Sequence, residues 1–118
     1  MRTISKKEFV MYLEMPDSYK LPKDVEVQDE EVIFRVLNRS TKDWISMLRI
    51  RVASSVGIRV PPESKEFQIR RLLPGEDYED KIQFTIEDKG EMWLLITINF
   101  NVGTKMRNFH EKLNFIVK

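Results

Sequence analysis

Hydrophobic and polar residues alternate with a period of two along most of the chain. Val32, Phe34 and Val36 alternate with Ile33, Arg35 and Leu37, and Ile82, Phe84 and Ile86 alternate with Gln83 and Thr85. Met92, Leu94, Ile96, Ile98 and Phe100 share one parity, with Thr97 and Asn99 on the other. Leu113, Phe115 and Val117 alternate around Asn114, and Trp44, Leu48, Ile50 and Val52 share a parity opposed to Arg49 and Arg51. A period of two places one row of side chains on a core and the other toward solvent, and the inward rows are rich in residues that suit a pleated, half-buried surface.

Turn residues separate these runs. Asn38 to Asp43 divides the first two strong strands, and Pro61-Pro62-Glu63-Ser64 follows a short strand predicted at Val56–Val60. Leu73-Pro74-Gly75-Glu76 has Pro then Gly, the order of a type II turn. Asp88-Lys89-Gly90 joins two strong strands and predicts a hairpin, and Asn101-Val102-Gly103-Thr104 predicts another turn. Asn38 suits a left-handed strand stop whose side chain hydrogen-bonds its own backbone. In the N-terminal third, Ser5 and Glu8 have capping-box spacing, but Pro16 and the residues Phe9, Val10 and Tyr12 favour a strand over Phe9–Met15. Tyr19–Lys23 reads as loop, and Val25 and Val27 as a short strand. The expectation is one all-β domain over residues 1–118, with an N-terminal strand and loop segment (1–24) and a sandwich core (25–118). Its architecture is an antiparallel β-sandwich of about seven or eight strands.

The segment Glu31 to Ile86 carries a resemblance. A strand ending in Asn38 meets a polar turn, then an aromatic-bearing strand from Trp44 to Val52. A Leu72-Leu73-Pro74-Gly75-Glu76 corner then precedes the strand Ile82–Ile86. Over roughly residues 25–118 the pattern resembles the immunoglobulin-like sandwiches of CARDB-type accessory and adhesion-related domains. That resemblance implies the fold, and a binding or spacing role without catalysis.

Composition narrows the chemistry. The 118 residues contain no cysteine and one histidine, His110, which removes thiol nucleophiles, disulfides, cysteine metal sites and any site needing two imidazoles. His110 and Glu111 are neighbours, so on a strand they point to opposite faces, and no local triad exists. The expectation is no enzymatic activity, no cofactor and no metal. The acidic loops lack the Asp-x-Asp-x-Asp pattern with a supporting Gly that holds calcium. Twenty basic residues against nineteen acidic ones argue against nucleic acid as a partner. Neither a signal-peptide core nor an apolar stretch of membrane-spanning length is present, which predicts a cytoplasmic protein, or an extracellular one if the chain is a fragment of a larger protein.

Charge is nonetheless segregated. Lys42 to Gly75 holds seven basic residues against three acidic, and Glu76 to Glu91 holds seven acidic against two basic. Such a dipolar domain suits docking to a charged partner or to copies of itself. Several apolar residues also fall on outward parities: Ile45, Met47, Trp93, Leu95, Met106 and Ile116. Either the segment Phe9–Met15 covers the Trp93 row, or a partner does. The leading expectation is a protein-interaction or assembly module, acting through a sheet face or edge strand on another protein or on itself. Its contact residues are Trp93, Leu95, Ile45 and Met47, with Arg49 and Arg51 as steering charges. The alternative is a module for carbohydrate or single-stranded nucleic acid, built from Trp93, Tyr78 and the group Arg49, Arg51, Arg70 and Arg71.

Overall fold

Alternating rows cannot bury themselves alone, so the strands stack as two five-stranded sheets. A computed structural model describes all of residues 1–118. The strands are β1 (Arg2–Lys6), β2 (Phe9–Leu13), β3 (Ser18–Tyr19), β4 (Gln28–Asn38), β5 (Ile45–Ser54), β6 (Ile58–Arg59), β7 (Glu66–Leu72), β8 (Asp77–Ile86), β9 (Gly90–Val102) and β10 (Lys105–Val117). One helical turn, α1 (Pro62–Lys65), precedes β7. The first sheet runs β1-β2-β4-β8-β6 and the second β3-β10-β9-β5-β7. The protein is an all-β immunoglobulin-like sandwich, and no helix is long and apolar enough to cross a membrane.

Most inward rows lie where the alternation puts them. Val32, Phe34, Val36, Ile82 and Ile86 are fully buried, as are Leu94, Ile96 and Ile98. Between the sheets the Phe9 ring stacks on Phe100 at 5.5 Å and meets Phe109 edge-on at 5.7 Å. Each such large side chain contributes about 1.5–3 kcal/mol on burial.

Five expectations are corrected. Asp88-Lys89-Gly90 does not close a hairpin: β8 and β9 belong to different sheets, and the link crosses between layers. The β9–β10 hairpin instead turns at Gly103 and Thr104, with Gly103 at φ 59°. Val25 and Val27 are exposed and form no strand, whereas Ser18–Tyr19, read as loop at Tyr19, pairs in parallel with Ile116 and Val117. The strand expected over Val56–Val60 is only Ile58–Arg59, and Val56 is exposed. Asn38 is not left-handed, since Lys7 and Met47 are the non-glycine residues with positive φ.

Phe9–Leu13 is a strand, and Arg2–Lys6 forms a hairpin with it. This hairpin extends the first sheet beside β4, and Ile4, Phe9, Met11 and Leu13 join the common core.

Candidate interaction face

A β-bulge decides which residues of β5 face outward. The ladder between β5 and β9 slips between Ser46 and Arg49, where Met47 sits at φ 53°. One extra residue reverses the parity of everything before it. Ile45, read as outward, is therefore fully buried, while Trp44, read as inward, is 52% exposed. Met47 is lifted clear of the sheet at 66% exposure. With Ile45 and Leu48 both inward, three positions apart, the strand must carry an irregularity between them.

β7 carries a matching feature. Phe67, Ile69 and Leu72 are buried, so Arg70 and Arg71 both point outward. Ser46 pairs with Arg71 and Ile45 with Leu72, which brings Trp44 beside Leu73 at the end of the two strands. The Arg71 guanidinium lies over the Trp44 ring, 5.6 Å from its centroid. Arg49 and Arg51 are outward, as expected, and share Glu66 at 3.6 and 3.3 Å.

Asn38 fixes this end. Its side chain is fully buried, and Nδ2 donates to the carbonyls of Asp43 at 2.7 Å and Leu72 at 3.0 Å. Those two residues immediately precede Trp44 and Leu73. Oδ1 accepts from the Ser40 N–H at 3.1 Å, the own-backbone bond the sequence suggested. The neighbouring turn is type II, with Gly75 at φ 78° and the Glu76 N–H bonded to the Leu73 carbonyl at 2.9 Å.

At the opposite end of the same face lie Trp93 and Leu95. Trp93 stands opposite Asn114, and Leu95 lies between Lys112 on β10 and Ala53 on β5. The Lys112 ammonium sits 4.8 Å from the Trp93 ring centroid, and both apolar side chains are half-buried. The backbone there is held by Ser55, whose hydroxyl accepts from the Trp93 N–H at 3.0 Å. β2 has gone to the first sheet, so the N-terminal cover considered for this row does not form. Ile116 and Met106 on β10 are exposed, as their parity implied. The contact residues expected from the sequence are thus divided: Trp93 and Leu95 at one end of the face, Met47 at the other, Arg49 and Arg51 between, and Ile45 in the core.

Other candidate chemistry is dispersed. His110 is exposed, opposite Thr97 in the ladder. No group of three His, Asp or Glu residues is placed to hold a metal ion. Tyr78 lies in the first sheet, away from Trp93 in the second, so the residues of the carbohydrate or nucleic-acid alternative are not assembled. The Tyr78 hydroxyl donates to Asp80 at 2.6 Å, and that bond, with burial and the carboxylate charge, pushes its pKa up to about 12. Burial, chiefly, does the same to Tyr19, packed edge-on against Phe84 and Phe115 at 5.6 and 5.5 Å. The basic strands β5 and β7 lie in the second sheet and the acidic β8 in the first, so the two charge blocks occupy opposed layers.

No family model matches the chain, and neither does any curated protein. Solved structures resemble it in fold. Native Escherichia coli alpha-2-macroglobulin, from domain MG7 to the C-terminus, matches with a TM-score of 0.74 at 16% identity, covering 93% of this chain and 16% of that one. Salmonella alpha-2-macroglobulin reacted with methylamine matches at 0.71 and 18% identity, covering 93% of this chain and 7% of that one. The chain therefore spans only a small part of those proteins. The GAE domain of GGA2p from Saccharomyces cerevisiae matches at 0.60 and 11% identity, covering 97% of this chain and 96% of that one. These likenesses support an immunoglobulin-like sandwich, and none singles out the CARDB type.

Proposed function

We propose that the domain is a non-enzymatic protein-interaction or assembly module working through the outer face of its second sheet. Trp93 and Leu95 form the apolar centre, and Arg49 and Arg51 steer a charged partner toward it. The observation that carries this reading is the destination of the N-terminal hairpin. It extends the first sheet, so no strand of this chain lies over the Trp93 row, which opens onto a cleft shared with Arg2, Asp17, Asn114 and Ile116. The fold likenesses agree with a module that presents a surface, and the lone exposed imidazole has no oriented acid or nucleophile with which to catalyse.

The magnitudes favour a modest interface. Covering the exposed remainder of Trp93 and Leu95 is worth about 2–3 kcal/mol at ~25 cal/mol per Å² of apolar area, less than association costs. The polar and charged rows beside them must supply the rest. The test is light scattering over a concentration series, with wild type and Trp93→Glu, and iodide quenching of Trp93 in a Trp44→Phe background. Association that Trp93→Glu abolishes is the expected result. A monomer whose Trp93 is already shielded from quencher would show that the domain covers its own outer row, and the reading would fail.

A further inference from the structure

The two sheets present four edges, and three are short, capped or occupied. β1 is five residues long and shows Thr3 and Ser5 outward. β8 is capped by β6 at Thr85 and Ile86, and the Ser64 hydroxyl accepts from the Gln83 N–H at 2.9 Å. β10 is met by β3 at one end, and at the other by the β1–β2 turn, where Glu8 pairs with Arg107 at 3.3 Å. β7 differs. No backbone hydrogen bond outside the regular elements reaches Glu66–Arg71, so this edge offers main-chain groups to an incoming strand.

The side chains along β7 specify what that strand carries. Arg70 and Arg71 are exposed and form no ion pair, unlike Arg49 and Arg51, which share a carboxylate. A shallow groove runs along Met47, Arg49, Gln68, Ile69 and Arg70. Met47 is exposed within it, and beside it stand two more exposed apolar side chains, Trp44 and Leu73. Phe67 and Ile69, at the rim of the core, keep 8% and 9% of their surface open. A strand added at an edge presents alternate residues to the two faces. One of its rows meets guanidinium groups that have no carboxylate partner, Arg71 lying over the Trp44 ring, and the other meets the apolar rim.

We infer that the β7 edge docks an extended acidic segment of a partner protein, apolar at alternate positions, as a sixth strand of the second sheet. This rests on the interaction reading above but places a contact at the opposite end of the face from Trp93. The unpaired arginines set the sign of the partner's charge. The bulge at Met47 and the bonds from Asn38 hold the exposed apolar cluster beside the edge.

The test pans phage-displayed random peptides against the intact domain. The enriched sequences are expected to alternate Asp or Glu with aliphatic or aromatic residues. A synthetic copy of one should bind about tenfold more weakly to Arg70→Glu/Arg71→Glu, and more weakly as salt rises. It should slow hydrogen exchange at β7 amides and bind Trp93→Glu as it binds wild type. Both arginines are exposed, and an unchanged circular dichroism melt confirms the fold of the double variant. The inference is overturned if no peptide is enriched, if enriched peptides are neutral or basic, or if the double variant binds undiminished. It is overturned equally if β7 exchange is unchanged, or if wild type self-associates through this edge. Peptides lost on Trp93→Glu but kept by the double variant would overturn the β7 site and leave the Trp93 face standing.

Discussion

Replacing Asn38 by alanine tests how the Trp44–Leu73 end of the second sheet is held. The wild-type side chain makes three hydrogen bonds, to the carbonyls of Asp43 and Leu72 and from the Ser40 N–H, at a fully buried position. Each bond is worth about 1 kcal/mol net, and a buried partner left unsatisfied costs about 1–3 kcal/mol. Asn38→Ala is therefore expected to destabilise by about 3 kcal/mol. A chain of 118 residues unfolds with an entropy of about 0.25 kcal/mol/K, so the melting temperature should fall by about 12 °C. Asn38→Asp sharpens the test. It keeps the acceptor for Ser40 but turns two donors into a carboxylate facing two carbonyls. That environment raises the introduced carboxyl's pKa in the folded state above its unfolded value of ~3.9. Its penalty is then full above the folded pKa and shrinks as pH falls through it, because the protonated form can donate one bond. Calorimetric melts across pH, for wild type and both variants, give the answer. A shift of less than about 2 °C for Asn38→Ala, or an Asn38→Asp variant as stable as wild type at neutral pH, would refute the reasoning.

Met47→Gly should stabilise the fold by about 0.5–1 kcal/mol in urea denaturation, since φ 53° strains an L residue more than glycine's chain entropy costs. Gly57→Ala should destabilise by about 1–2 kcal/mol, because its φ of 97° disfavours a side chain and a Cβ there would lie 2.7 Å from Met92 Cε. Gly90→Ala, where a Cβ meets open space, supplies the backbone-only comparison. Burial raises the Glu8 pKa, but its own backbone N–H and the Arg107 guanidinium outweigh that and hold it below the usual carboxylate range. The resulting stability is present above the unfolded pKa and lost as pH falls through the folded one, so Glu8→Gln should flatten the acid limb of the stability profile.

The inward rows of β4, β8, β9 and β10 were legible because alternation is a local consequence of the pleat: each residue's face follows from its neighbour's. The same logic exposed the excess of apolar residues on both parities of Met92–Ile96. The Leu73–Glu76 turn was equally legible, since Pro74 and Gly75 carry their backbone preferences with them. Sequence did not decide where the alternation breaks. The bulge at Met47 moved Ile45 into the core and Trp44 onto the surface, because the ladder with β9 had to close around a residue too many. Nor did it decide which sheet a strand joins. Asp88–Gly90 looks the same whether it closes a hairpin or crosses between layers, because a short link fixes distance and not partner. The destination of the Phe9–Leu13 strand was open for the same reason. Its inward residues fit either an outer cover or the core, and pairing with β4 placed them in the core. That long-range pairing took the strand away from the outer row of Trp93 and Leu95, which no strand of this chain covers.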